Sequence, residues 1–442
     1  MRRMRYDSIT EAIGNTPLVR IDQDVHGLRN IDLYAKLEML NPFGSLKDRP
    51  AWNMVRDRLA GAAARGETVV ELSSGNTAKA LALIAGMHGL PFKSVTNRMR
   101  VPEIKDLLLL LGARIEELPG QSECLDPTDT ADPLTLFHQQ LSAPGSTHLH
   151  TDQYFNPLNA QAHADGTGPE IIADLDGRAP DWFIACVGTA GSSTGIARAL
   201  RAHDPAVRVV GLVGAKSDFI PGIRTADEVQ EVGLFDPAVY DAIEAVTSDE
   251  ALDGMLVLLR RCGMLSGPTG GAAYHGAVRH LRAVDAELTE RRTAVFVVCD
   301  RTEGYLGYVR QRRPELLGRP PVRNSADTVT DAELAAARSV EVPEARAWVE
   351  SGRPLVVDLR GPFAYGALHI DGSVNIVDEL FAELVRGGLP FSTSRPVLLA
   401  CPIGEQSLRY AALLTRMGHP DVRSLAGGIV AWRDAGAPLV RD

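Results

Sequence analysis

Four stretches of this 442-residue chain place glycines and small hydroxyls where a strand hands over to a helix. They are Asn41-Pro42-Phe43-Gly44-Ser45-Leu46-Lys47-Asp48-Arg49, Ser73-Ser74-Gly75-Asn76-Thr77, Gly188-Thr189-Ala190-Gly191-Ser192-Ser193-Thr194-Gly195 and Ser266-Gly267-Pro268-Thr269-Gly270-Gly271. A helix N-terminus offers unpaired N–H groups and a positive dipole end, so such loops can hold phosphate or carboxylate. Taken singly, each also reads as an ordinary turn, because the same residue types dominate turns. The third ends in no GK[ST] and is no clean G-x-G-x-x-G, which gives little support to nucleotide binding. Two side chains add nucleophiles. Lys47 needs a desolvated site to act as a free amine. Cys401 ends the apolar run VLLA and precedes a helical stretch, so amides at a helix start favour its thiolate and persulfide.

These residues need rigid elements behind them. The runs LYAKL (33–37), TVVEL (68–72), WFIACV (182–187), VRVVGLV (207–213) and AVFVVC (294–299) are nearly continuous apolar strands. Strands of that kind are parallel and covered by helices on both faces. Trp52, Val55, Leu59 and Ala62 predict a helix over 50–63, and Leu107 to Leu111 predicts a buried helix face. The stretch RRPELLGRPPVRNSADTVTDAE lacks apolar periodicity, so 313–337 reads as a linker between a domain at 1–312 and another at 338–442. The second restarts an α/β pattern with PLVVDLR, PVLLAC and VRSL.

Composition narrows the classes. Acidic residues outnumber basic ones, 56 to 46, a surface that favours neither nucleic acid nor anionic membrane. The N-terminal charges have no apolar run behind them, so no signal peptide is expected, nor any membrane span. Five scattered cysteines (Cys124, Cys186, Cys262, Cys299, Cys401) without a CxxC pair point to a reduced, cytoplasmic setting. Cys186 and Cys299 read as buried structural thiols, and Cys124 and Cys262 take no assignment. No Cys/His spacing suggests a metal.

In order along the chain, IGNTPLVR (13–20), NPFGSLKDRPA (41–51), SSGNT (73–77), QYFNPLN (153–159), TGPEI (167–171) and GTAGSSTG (188–195) resemble the fold-type II pyridoxal-phosphate (PLP) enzymes of the cysteine synthase and cystathionine β-synthase family. The resemblance implies a two-lobed α/β fold, PLP as cofactor and a homodimer. It implies that Lys47 carries PLP covalently, that Asn76 bonds the ring 3′-oxygen, and that Gly188, Thr189, Ala190, Gly191 and Ser192 cradle the phosphate. Thr269 would face the pyridine nitrogen, and Ser73, Ser74, Asn76, Thr77 and Gln153 would hold the substrate carboxylate. A neutral hydroxyl at Thr269 weakens the electron sink and so favours β-elimination over transamination.

Within the family, KDRPA, the run from Gln153 to Leu175 and Arg224 resemble O-phosphoserine sulfhydrylases, which implies that Arg224 binds a leaving phosphate bidentately. O-acetylserine is the alternative substrate. The implied reaction is β-substitution on an activated serine through an α-aminoacrylate. Residues 338–442 resemble a single-domain rhodanese through VVDLRGPFAYGALHIDGSVNI, CPIGEQS and LAGGIVAW. Its active loop departs from the family: Pro402 and Gln406 stand where arginines are common, and Glu405 adds negative charge. A donor other than thiosulfate, a small-molecule or protein persulfide, is therefore expected, with Cys401 passing sulfur to the PLP site to form cysteine. The competing readings are a cysteine desulfhydrase or lyase, or a 2,3-diaminopropionate-type synthase with the rhodanese part as regulatory or docking module.

Overall fold

The computed structural model describes residues 5–96, 99–118, 141, 147–216, 218–226, 228–318 and 324–441. They fall into two compact units, 1–312 and 313–442. In the first, β1 (Leu18–Arg20) and β2 (Ile31–Lys36) open one sheet. A second sheet follows, from β3 (Thr68–Leu72), β4 (Phe92–Thr96), β5 (Arg114–Glu117) and β6 (His148–His150), in the order β5-β4-β3-β6. The chain then returns through β7 (Trp182–Cys186), β8 (Arg208–Gly214), β9 (Ala242–Val246) and β10 (Arg292–Val297), completing the order β1-β2-β10-β7-β8-β9. The β1–β2 pair is antiparallel and the other described pairs are parallel.

The apolar runs explain this layout. All five residues of β7 are buried, as a central parallel strand with helices on both faces requires. The edge strand β9 alternates instead, with Ala242, Glu244 and Val246 turned further inward than Ile243 and Ala245. Ile184, Leu212 and Phe296 fill the core on one side of the large sheet, and Phe183, Val209 and Val295 that on the other. The segments after β3, β4, β6, β7, β8 and β10 all leave the carboxyl ends of parallel strands, where open α/β sheets place their ligand crevice.

Two local expectations are corrected. The helix expected over 50–63 is two helices, Asp48–Val55 and Leu59–Arg65. The ladder tightens where Arg58 N bonds to Val55 O at 2.8 Å, and the Arg58 guanidinium reaches the His150 carbonyl. Leu107 to Leu110 belong to the helix Pro102–Leu110 and Leu111 caps it, but only Leu108 of the run is buried; Leu109 and Leu110 are 53% and 83% exposed. Consecutive residues turn by about 100° on a helix, so one face cannot bury them all.

The second unit is a parallel sheet of β11 (Ser339–Val340), β12 (Leu355–Asp358), β13 (Val374–Asn375), β14 (Val397–Ala400) and β15 (Val422–Leu425), ordered β11-β15-β14-β12-β13. Part of the stretch expected as linker is folded onto it. Ala326 and Val329 are buried beside Phe381 and Tyr410, and the helix Asp331–Ala336 starts with a Thr330/Glu333 capping box. A few apolar side chains suffice there because the surface they cover already exists. Cys124 lies outside the described residues. Among the described residues, no helix is long and apolar enough to cross a membrane.

Candidate active site

One pocket of the first unit gathers Lys47, Ser73, Ser74, Asn76, Thr77, Gln153, Gly188, Thr189 and Arg224 along its wall. Ala190, Gly191, Ser192 and Thr269 stand outside that lining. Lys47 immediately precedes the helix Asp48–Val55. The loop before it is pinned by the Asp48 carboxylate, which accepts from Phe43 N at 2.6 Å and Ser45 Oγ at 3.1 Å. Burial pushes the Lys47 ammonium toward its neutral form, and the nearby Cys299 and Asp300 oppose this only partly. Burial also raises the Asp48 carboxyl to about 7. A lysine in these surroundings is suited to act as an amine.

Ser73 and Ser74 follow β3, and Asn76 opens the helix Asn76–Met87. Ser73 Oγ accepts from Gly75 N and Ala78 N, both at 3.3 Å, which folds this turn onto the start of the helix. The Asn76 amide donates to Asp300 Oδ2 at 2.7 Å and to the Tyr305 hydroxyl at 3.0 Å. Thr77 and Gln153 are hydrogen-bonded to each other.

The loop after β7 leads into the helix Gly191–His203, with Ala190 in the left-handed region at φ 59°. A side chain at Gly191 would collide with the Asn159 amide, and one at Gly188 would come within 2.6 Å of the Gly222 carbonyl. Asn159 braces the loop, donating to Gln153 O at 2.7 Å and Thr189 Oγ1 at 3.1 Å. Thr269 lies in the first turn of the helix Pro268–Asp285, and its hydroxyl donates to Pro221 O at 2.6 Å. Pro221 itself lines the pocket.

Arg224 is 8% exposed; it donates to the Tyr154 hydroxyl at 2.8 Å and stacks over that ring at 5.5 Å. Arg100 also lines the pocket, over the Phe219 ring at 4.4 Å. Each arginine therefore follows a strand of one sheet and rests on an aromatic that follows a strand of the other. Arg100, Asp300 and Tyr305 were not singled out from sequence. Asp300 directly follows the apolar run AVFVVC, so the end of a parallel strand was the available signal; Arg100 follows β4 in the same way.

Two residues after Lys47, Arg49 centres an ionic cluster that ties three elements together. Arg49 donates to Glu38 at 2.7 and 2.8 Å and to both Glu170 oxygens at 2.7 Å. Burial favours the neutral Glu170, but Arg49 and Lys36 outweigh it and bring its carboxyl to about 2. The cluster anchors the helix that begins beside Lys47.

Residues 9–300 match the family of pyridoxal-phosphate dependent enzymes. The chain belongs to that family. Cysteine synthase B of Pseudomonas aeruginosa is 34% identical over 304 residues, 69% of this chain and 97% of that protein. N-(2-amino-2-carboxyethyl)-L-glutamate synthase of Ralstonia nicotianae is 37% identical over 313 residues, 68% and 89% of the two chains. Among solved structures, an O-acetylserine dependent cystathionine β-synthase from Helicobacter pylori matches with a TM-score of 0.58 and 26% identity, over 69% of this chain and 98% of that one. The enzyme therefore uses PLP and catalyses cysteine synthase-type β-replacement on an activated serine. The pocket fits that cofactor: a lysine with depressed basicity shares its lining with Gly188 and Thr189 of a loop that leads into a helix start, where added side chains would collide with their neighbours.

In the second unit Cys401 follows β14 and is 2% exposed. Its sulfur accepts from Gly404 N at 3.1 Å, Ser407 N at 3.4 Å and Ser407 Oγ at 3.3 Å. Gln406 is held by Asp378 at 3.1 and 3.3 Å, and Glu405 is exposed. Residues 341–435 match the rhodanese-like domain, so the PLP enzyme carries a rhodanese-like domain behind it. Cys186 and Cys299 are buried thiols beside the first site, and burial raises both pKa values. Cys262 is half-buried at the end of the helix Ser248–Cys262.

Proposed function

We propose that the activated serine is O-phosphoserine and that the fused rhodanese-like domain supplies the sulfur that makes cysteine. The observation that carries the substrate assignment is the placement of Lys47 and Arg224 in one pocket wall. Lys47 carries PLP, which when bound supplies the electron sink for negative charge at the substrate Cα. Gly188, Thr189, Ala190, Gly191 and Ser192 hold the cofactor phosphate, Asn76 faces the ring oxygen, and Thr269 serves as the neutral neighbour of the ring nitrogen. Ser73, Ser74, Asn76, Thr77 and Gln153 bind the substrate carboxylate at the start of the helix Asn76–Met87.

The Lys47 amine takes the Cα proton, and phosphate leaves Cβ with the C–O electron pair toward the Arg224 guanidinium. Sulfide then adds at Cβ, and Lys47 returns its proton to Cα. The sulfide comes from a Cys401 persulfide: two equivalents of a thiol reductant release it as hydrogen sulfide, restore the Cys401 thiol and become a disulfide.

A second reading is favoured by the Ralstonia nicotianae relative, whose name describes a product with a C–N bond to glutamate. There an amine is the nucleophile and the rhodanese-like domain regulates or docks. One experiment separates these: full-length holoenzyme is given O-phosphoserine or O-acetylserine, with sulfide, a persulfide donor or glutamate, and products are identified by mass. Cysteine from O-phosphoserine supports the first reading. An N-linked product alone replaces it with the second.

A further inference from the structure

Asp300 follows β10 and is 3% exposed. Its backbone bridges Ser45, two residues before Lys47, and its carbonyl accepts from Gly267 N at 2.9 Å. Its Oδ2 accepts from the Asn76 amide at 2.7 Å and from the Tyr305 hydroxyl. The same amide nitrogen reaches the Tyr305 hydroxyl at 3.0 Å, so Asn76 is held by both members of this cluster. Asp300 Oδ1 is buried without a hydrogen-bond partner. A side chain at Gly267 would collide with it, so the glycine at the start of the helix Pro268–Asp285 makes room for the carboxyl. Lys47, Lys79, Asn76 and Tyr305 act on it, and the Cys186 and Cys299 thiols lie within its field.

We propose that Asp300 is a positioning residue of the cofactor pocket: its Oδ2 fixes the Asn76 amide and the Tyr305 hydroxyl, and its protonation state sets the charge felt at Lys47. Both roles belong to one group, because the oxygen that orients Asn76 is part of the carboxyl whose charge acts on Lys47. Burial holds the Asp300 proton above the ordinary carboxylate range, outweighing Tyr305, Lys79, Asn76 and Lys47, which favour ionisation. As pH rises, Asp300 gives its proton to solvent, and the new negative charge stabilises positive charge at Lys47. The inference rests on Lys47 as the attachment point of the cofactor.

The test uses full-length holoenzyme, following the visible absorption of bound PLP with pH together with cofactor affinity and Tm. Wild type is expected to show a band change with a midpoint above the ordinary carboxylate range. Asp300→Asn should lose that change while keeping cofactor affinity within about tenfold. Tyr305→Phe removes one donor from the carboxylate and should move the midpoint up, by about half a unit or more. A pH-independent band in wild type, a transition kept in Asp300→Asn, or an unmoved midpoint in Tyr305→Phe overturns the proposal. If Asp300→Asn does not fold, Tyr305→Phe decides. A purely structural role would lower Tm or affinity and leave the midpoint in place. Borohydride reduction with peptide mapping checks separately that the cofactor sits on Lys47, so failure of that assignment is told apart from failure at Asp300.

Discussion

Thr77 donates its hydroxyl to Gln153 Oε1 at 2.7 Å, joining the helix after β3 to the segment after β6. Gln153 is fixed from its other end by Leu72 O at 2.9 Å. Behind the pair, Glu71 is fully buried and accepts from Leu72 N at 2.8 Å, Gln153 N at 3.2 Å and the Thr151 hydroxyl. One buried acid thus supports the rim assigned to the substrate carboxylate.

Burial raises Glu71 from 4.5 to about 7, against the hydrogen bonds that favour its ionised form. The folded state therefore binds an extra proton between these values, and stability falls as pH rises through that window and levels off above it. Glu71→Gln should remove this contribution, of order 3 kcal/mol at most. Asp48, raised to about 7 in the same way, leaves a residual slope. Urea unfolding at about pH 5 and about pH 8 measures the difference. An unchanged slope would contradict the assignment of that proton to Glu71.

Arg224 is predicted to separate the two candidate substrates. Replacing it by Ala removes a charged donor worth about 1.5–3 kcal/mol, a loss of roughly 10- to 150-fold in kcat/KM for O-phosphoserine. O-acetylserine carries no dianion and should change by less than about threefold. Lysine should recover only part of the loss, because it cannot reproduce the planar fork. Equal losses on both substrates would assign Arg224 to the pocket wall, through Tyr154, and not to the leaving group.

The loop after β7 gives a sharper structural prediction. Gly191→Ala places a methyl group against Asn159, which also braces Thr189 and Gln153. PLP affinity should fall by about tenfold or more while the helix Gly191–His203 persists, because alanine is the best helix former. Equilibrium dialysis of PLP and circular dichroism read the two effects. Unchanged affinity would show that Asn159 moves aside without disturbing the phosphate loop.

The sequence made the strands and anion-holding loops legible because buried parallel strands are continuous apolar runs and the loops depend on residue type. Lys47, the Ser73–Thr77 turn and Gly188 were readable for that reason. Arg100 and Tyr305 in the wall, and Asp300 behind Asn76, were not, because their places depend on which strand ends the topology brings together. Spacing along the chain does not encode that, since 224 residues separate Asn76 from its partner Asp300. The Leu107–Leu111 run misled in the opposite direction: composition suggested burial, and helix rotation exposed two of its members.

Cys401 sits in a cradle whose donors are Gly404 N, Ser407 N and Ser407 Oγ, with Pro402 contributing no N–H. The Gln406 amide is turned to Asp378, and Glu405 faces solvent, so no cation from this loop neutralises a dianionic donor. Full-length enzyme should therefore turn over thiosulfate and cyanide poorly, yet accept label on Cys401 from a small-molecule persulfide. Cys401→Ser should abolish the label. Ser407→Ala should slow labelling by about three- to tenfold, the effect of one neutral hydrogen bond to sulfur. Cysteine formation supported by a persulfide donor should fall with the label, while formation from added sulfide stays near wild type because it bypasses Cys401. Efficient thiosulfate turnover would refute the donor assignment, and full persulfide-supported activity in Cys401→Ser would remove the domain from sulfur supply.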